Sequence, residues 1–390
     1  MIEPYRGPAI LAGGYRVFFF LAALWAFVSL VLWVGYMAGV GGLNAVGVDM
    51  LQWHGHALIY GYGGAVIAGF ALTAIPNWTG RPPVRGMLLL ALVLPWLAAR
   101  VAELMSLTGY EAETARFIGE MLFFFLFVGV AAREVIAGKN WRNIKVVVFF
   151  SAFMIAALLA NLDRLEIIAL PFAGWILGLA IILTLISVIG GRIIPAFTGN
   201  WMQKEGLSPK PTMFNRFDVF VILVTIVALV FLIGNWSGMM AGITAAVAGC
   251  LHLIRLARWR GWQTLKSPIV VVLHVSYLWV PVGFALVSLA AFGVGGMEIM
   301  SAIHAWTVGA IGSTTLAVMT RASLGHAGLP LQDSALLTSI YLAINLAALC
   351  RVIAIYGGAD FGTFINVAGL LWCVAFGVFI IKFSPIYLRK

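Results

Sequence analysis

Residues 53–81 read WHGHALIYGYGGAVIAGFALTAIPNWTGR. His54 and His56 open the stretch, no charge follows until Arg81, and Pro76 with the polar knot Asn77-Trp78-Thr79-Gly80-Arg81 closes it. An uncharged apolar run of about 20 residues, rising ~1.5 Å each, crosses the ~30 Å hydrocarbon layer of a bilayer as a helix. Pro76 is expected to break that helix. Imidazoles at the mouth of a membrane helix are costly to leave unpaired in lipid, so these two require a ligand, a partner or water.

The rest of the chain has the same character. Of 390 residues, 63% are hydrophobic and 10% charged, against roughly 45–50% and 25% in soluble domains. An all-α integral membrane protein follows, because the alternating pattern of a lipid-facing barrel strand is absent. Its expected environment is the lipid bilayer. Cys250, Cys350 and Cys373 lie in separate apolar spans and read as packing residues, not as a disulfide framework. No removable signal peptide is evident ahead of the first span. The hydropathy pattern gives twelve spans, near 15–40, 51–76, 86–108, 114–136, 145–162, 168–195, 216–234, 238–257, 268–293, 298–320, 333–356 and 362–383. No hydrophilic stretch is long enough for a separate soluble domain, so residues 1–390 form a single polytopic membrane domain.

The net charge of +10 is an orientation signal and not a nucleic-acid signal. With twelve spans, all but four of the 24 Lys and Arg residues fall on one side, Lys382, Arg389 and Lys390 at the C-terminus among them. The four exceptions are Arg100, Arg116, Arg164 and Arg351. The positive-inside rule then puts both termini in the cytoplasm. This topology places His54, His56 and His304 toward the outer side, and His252, His274 and His326 toward the cytoplasm. His304 and His326 are 22 residues apart, or ~33 Å along a helix, and do not share a metal.

His54 and His56 are two positions apart and point to nearly opposite faces of a helix. Gly64 lies two turns below His56, and Gly312, preceded by Gly309, lies two turns below His304. Small residues beneath an imidazole leave room for a flat macrocycle; glycines also let helices pack closely. His56 and His304, with His54, Gly64 and Gly312, are therefore the candidate cofactor site. His54, His56 and His304 are candidate metal ligands, and His274 and His326 candidates for a second site on the cytoplasmic side. His252, beside Arg255, reads as interfacial. Glu120 is expected to pair with Arg116 one turn away. No row of intramembrane acids equips an ion-coupled transporter, and there is no nucleotide-binding loop, CxxC, HExxH or credible nucleophile triad. Spans two, six and ten end alike, in Ala74-Ile-Pro-Asn-Trp-Thr-Gly80, Ile193-Ile-Pro-Ala-Phe-Thr-Gly199 and Met319-Thr-Arg-Ala-Ser-Leu-Gly325. A four-helix period suggests three four-helix arcs.

Several runs resemble the signature of the NnrS family: Trp53-His-Gly-His56, then Ala65–Phe70 leading into Pro76-Asn-Trp-Thr-Gly-Arg81; Gly191–Pro195; His274–Trp279; and His304–Gly312 through Leu316–His326 with Arg321. The resemblance implies a haem- and copper-containing protein of the bacterial nitric oxide response, in the cytoplasmic membrane. In one departure, Ala57 stands where the family usually has Glu. A fainter resemblance is to the haem–copper oxidases, which place low-spin haem ligands on spans two and ten. Spans six and seven here hold no histidine, so the oxidase copper ligands are missing.

The expectation is therefore a b-type haem held by His56 and His304, with copper a further candidate cofactor and His54 its candidate contact. Nitric oxide or another small diatomic is the expected ligand, and a quinol or cytochrome the expected electron donor. If the protein is an enzyme, it is an oxidoreductase acting on nitric oxide. The alternative is a protein that transports or handles haem, copper or iron without redox turnover.

Overall fold

The computed structural model describes residues 5–40 and 48–389; Lys390, counted above among the cytoplasmic charges, lies outside them. Twelve helices among these residues are long and apolar enough to cross a membrane. They are α1 (Gly14–Met37), α2 (Met50–Thr79), α3 (Met87–Ser106), α4 (Glu113–Ala137), α5 (Trp141–Arg164), α6 (Trp175–Lys204), α7 (Arg216–Asn235), α8 (Met239–Arg258), α9 (Pro268–Ala291), α10 (Ile299–His326), α11 (Ala335–Tyr356) and α12 (Gly358–Leu388). No strand occurs among the described residues.

Several expected boundaries move, three of them at residues the sequence reading singled out. Pro76 and Pro195 do not end their helices: α2 runs on to Thr79, and α6 to Lys204. Each proline removes one backbone donor, a loss that membrane helices absorb through neighbouring Ser/Thr side chains and adjacent helices. What stops α2 is Gly80, at φ +68°, a left-handed conformation that glycine adopts without cost. His326, expected just past span ten, is the last residue of α10.

The chain divides into two compact units. The first holds α1–α5, the start of α6 and the end of α12; the second holds the rest of α6, then α7–α11 and most of α12. In the first unit α1 packs on α2, and α3 and α5 each pack on α4. In the second, α9 packs on α8 and α10, α7 on α8, and α11 on α10. The most enclosed span is α2 in the first unit and α10 in the second. Both are also widened locally: residues Ala57–Tyr62 and Ala305–Gly312 form π-helical turns inside otherwise α-helical spans. Such turns are rare and concentrate at functional sites.

Candidate functional site

In the first unit, four helix ends converge on His56. The imidazole sits at the last position before the π-turn of α2 and is 2% exposed. Its Nε2 lies 2.8 Å from Glu120 Oε1 of α4 and 3.0 Å from Arg116 Nη1. The two contacts ask opposite things of one nitrogen. Glu120 also accepts from Arg100 Nη2 and, at 2.9 Å, from Asn161 Nδ2, the environment of an ionised carboxylate. Nε2 therefore carries the hydrogen and donates it to Glu120, while Arg116 Nη1 donates to Asn161 Oδ1 at 2.8 Å. In the neutral ring the lone pair is then on Nδ1.

The cluster extends outward through ion pairs. Arg100 Nη1 is 2.8 Å from Glu103 Oε2. Arg116 Nε and Arg164 Nη2 reach the two oxygens of Glu113 at 2.8 and 2.6 Å. Glu113 is the one carboxylate of the three whose side chain is partly exposed, at 32%. Arg100, Arg116 and Arg164 balance Glu103, Glu113 and Glu120, so a neutral His56 leaves the group without net charge. A balanced, hydrogen-bonded arrangement is the condition under which charges persist in a low-dielectric interior. The expected Arg116–Glu120 pair is thus corrected: Arg116 pairs with Glu113, and Glu120 is taken by partners from α2, α3 and α5.

The π-turn of α2 is held from outside. Widening the helix changes which carbonyls have intrahelical partners, and two of them receive tryptophan donors: Trp25 Nε1 to Ala57 O at 2.9 Å, and Trp96 Nε1 to Gly61 O at 3.1 Å. The Arg100 guanidinium lies over both indole rings, 5.3 and 5.8 Å from their centroids. Gly61 makes this possible, because a Cβ there would stand 2.1 Å from Arg100 Nη1 and 2.7 Å from Trp25 Nε1. His54, on the other face of α2, stacks on Trp33 of α1 with ring centroids 4.4 Å apart. Both histidines lie inside the helix that starts at Met50, so they face different surroundings, as their spacing predicts.

In the second unit, His304 holds the same place ahead of the π-turn of α10. Its Nδ1 is 2.6 Å from the Met300 carbonyl oxygen, one turn back in its own helix. A carbonyl only accepts, so Nδ1 carries the hydrogen and Nε2 holds the lone pair of the neutral ring. A Cβ at Gly309 would stand 2.4 Å from the Trp279 ring of α9, and Trp279 Nε1 donates to Asn345 Oδ1 of α11 at 2.8 Å. Both histidines thus belong to one pattern, His-Ala-x3-Gly-x2-Gly, at His56-Ala57-Gly61-Gly64 and His304-Ala305-Gly309-Gly312. The reading from sequence had the histidines and the last glycine of each copy. It lacked Gly61 and the equivalence of the two copies, which direct superposition of the runs would have revealed.

Gly64 and Gly312 let neighbouring side chains pack closely against α2 and α10. A Cβ at Gly64 would meet the Phe124 ring at 3.0 Å, and one at Gly312 would meet Trp372 at 2.8 Å and Ile344 at 3.2 Å. They seat aromatic side chains. His274 Nε2 is 2.8 Å from Thr198 Oγ1, and His326 is exposed. His252, expected at the interface, is fully buried. Among the described residues, no three His, Cys, Asp or Glu side chains assemble as a metal-holding group. The knot after Pro76 ties helix ends: Arg81 Nε meets Glu134 Oε2 at 2.5 Å, Asn140 Nδ2 donates to the Trp78 carbonyl, and Asn77 is exposed. Arg321 lies 4.0 Å over the Phe197 ring and lines a cavity of about 950 Å³ with Ser267 and Asp333.

These features define a multi-pass helical membrane protein with a histidine ahead of each of two π-turns, one buried in an ionic cluster and the other half-buried. The chain matches the family model described as "NnrS protein" over residues 9–390 and belongs to the NnrS family. Comparison with curated proteins finds no match.

Proposed function

We propose that this NnrS-family membrane protein serves the nitric oxide response as a haem protein, with His56 in the first unit and His304 in the second each an imidazole available to iron, and nitric oxide as the small ligand. Bound haem supplies an iron centre for diatomic binding and one-electron chemistry. The observation that carries the reading is the acceptor that lies against one nitrogen of each ring. Metal-bound histidines characteristically donate their other ring N–H to a carbonyl or carboxylate, which orients the ring and raises its basicity. His304 does so to Met300 O, and His56 to Glu120. The donor set fits the group, through Nε2 of His304 and Nδ1 of His56. Arg100 donates to Glu120, Arg100, Arg116 and Arg164 balance the three carboxylates so that the cluster carries no net charge in the membrane, and the tryptophans on Ala57 and Gly61 fix the turn from which His56 projects. Family membership supports a bacterial cytoplasmic membrane location, and the charge distribution supports both termini inside.

The purified protein should carry stoichiometric haem with a Soret band that responds to nitric oxide. His304→Ala is expected to abolish that band and His56→Ala to weaken or shift it. Unaltered spectra in both variants would overturn the ligand assignment. Substoichiometric, exchangeable metal with no spectral response to nitric oxide would replace this reading with the metal-handling one.

A further inference from the structure

A second polar chain lies buried in the second unit and has no part in the haem reading. Thr225 Oγ1 of α7 donates to the Val221 carbonyl at 2.8 Å. Its one proton is thereby committed, so in the 2.9 Å contact between Thr225 Oγ1 and His252 Nε2 the imidazole is the donor. Nδ1 of His252 then holds the lone pair, and it lies 2.8 Å from the Tyr277 hydroxyl of α9. The phenol therefore donates to the imidazole. Arg255 Nη1 donates to the same phenolic oxygen at 2.8 Å, and Arg255 Nε pairs with Asp218 Oδ1 at 2.6 Å, which balances its charge. Tyr277, His252, Thr225 and Arg255 are each 0% exposed. The Trp259 ring meets Tyr277 edge-on with centroids 4.6 Å apart.

We propose that Tyr277 is a redox-active side chain, oxidised by one electron while its phenolic proton moves to Nδ1 of His252. The O–H bond of Tyr277 breaks, an N–H bond forms on His252, the electron goes to the oxidant, and the products are a neutral phenoxyl radical and an imidazolium. Re-reduction by one electron returns the proton. A phenol that loses an electron becomes a strong acid, so its oxidation is easiest where a base stands ready within hydrogen-bond reach. Here that base is in place, its tautomer is set by Thr225, and bulk water is excluded from the product. The Tyr60 hydroxyl, by contrast, donates to the Gly174 carbonyl, and that of Tyr341 pairs with Thr320; neither partner takes a proton. The natural oxidant would be of the nitrogen dioxide class, a small neutral radical formed from nitric oxide and oxygen and converted to nitrite in this step. Only that choice of oxidant rests on the nitric oxide reading.

The test uses the full-length protein in nanodiscs, oxidised by hexachloroiridate(IV) and frozen for electron paramagnetic resonance. Wild type and Tyr60→Phe should give a tyrosyl signal, and Tyr277→Phe should lose most of it. His252→Gln keeps an acceptor atom but no base. It should form the radical about tenfold more slowly, equivalent to ~1.4 kcal/mol of barrier, and should lose the solvent deuterium effect. An undiminished signal in Tyr277→Phe, or an unchanged rate and isotope effect in His252→Gln, would overturn the proposal. Wild-type protein exposed to nitrogen dioxide provides a test that needs no variant: mass spectrometry should find nitration first at Tyr277, and nitration elsewhere with Tyr277 untouched would refute it. Because hexachloroiridate acts without haem, a tyrosyl signal in protein lacking a Soret band separates this proposal from the haem reading.

Discussion

The π-turns of α2 and α10 share a sequence pattern and a backbone form, yet their histidines are held by unlike means. His56 leans on Glu120, a carboxylate fixed by three other helices' side chains and balanced by a network of arginines. His304 leans on a carbonyl of its own helix. The first arrangement spends charged groups on orienting one ring; the second needs none. The contrast teaches that the local motif sets where an imidazole projects, whereas the neighbouring helices decide its electrostatics. The same holds for the glycines, since Gly61 admits a guanidinium and an indole but Gly309 admits an indole ring alone.

The largest difference between the two regions should appear on breaking the contact that orients each histidine, at Glu120 in one and at His304 itself in the other. Glu120→Ala strands Arg100, Asn161 and the His56 N–H together, and the loss of one member of a buried ion pair costs about 3–5 kcal/mol. His304→Ala removes one hydrogen bond to a carbonyl and should cost the fold about 1 kcal/mol. Reversible denaturant unfolding in detergent would measure both, and equal costs would erase the contrast. Next in size are the glycines. Gly61→Ala and Gly309→Ala each force a Cβ into an occupied space, which in packed cores costs roughly 1–3 kcal/mol. Gly61→Ala should also disturb the signal of His56 through Arg100 and Glu120, an effect with no counterpart at Gly309; magnetic resonance of labelled histidine distinguishes them. Trp96→Phe keeps the ring but leaves Gly61 O without its donor, an expected loss of about 1 kcal/mol by thermal unfolding. The smallest effect belongs to Arg133→Ala. This side chain is 55% exposed and shares Glu134 with Arg81, so its removal should cost no more than about 0.5 kcal/mol.

Most of the fold was legible because lipid imposes one simple rule, and twelve apolar runs of sufficient length obey it. The helix ends were less so. Pro76 and Pro195 look like breaks in the chain taken alone, and only the surrounding helices show that the lost hydrogen bonds are tolerated. The histidines were legible as anomalies in apolar spans. The ionic cluster was not, because Arg100, Glu103, Glu113, Glu120 and Asn161 sit near the ends of three different helices, and sequence proximity favoured the wrong partner for Arg116. The His252–Tyr277 pair was hidden for the same reason: its members lie 25 positions apart, and the basic residues following His252 suggested a surface.

The proposed ligation of haem by His56 is tested most directly by the reduction potential in Glu120→Gln. Glutamine keeps the size and an acceptor oxygen but removes the negative charge behind His56. A ligand that draws basicity from a carboxylate makes iron harder to reduce, so the account predicts an intact Soret band and a raised potential in this variant. A potential equal to that of wild type, with the Soret band intact, would contradict the claim that His56 serves iron with Glu120 behind it.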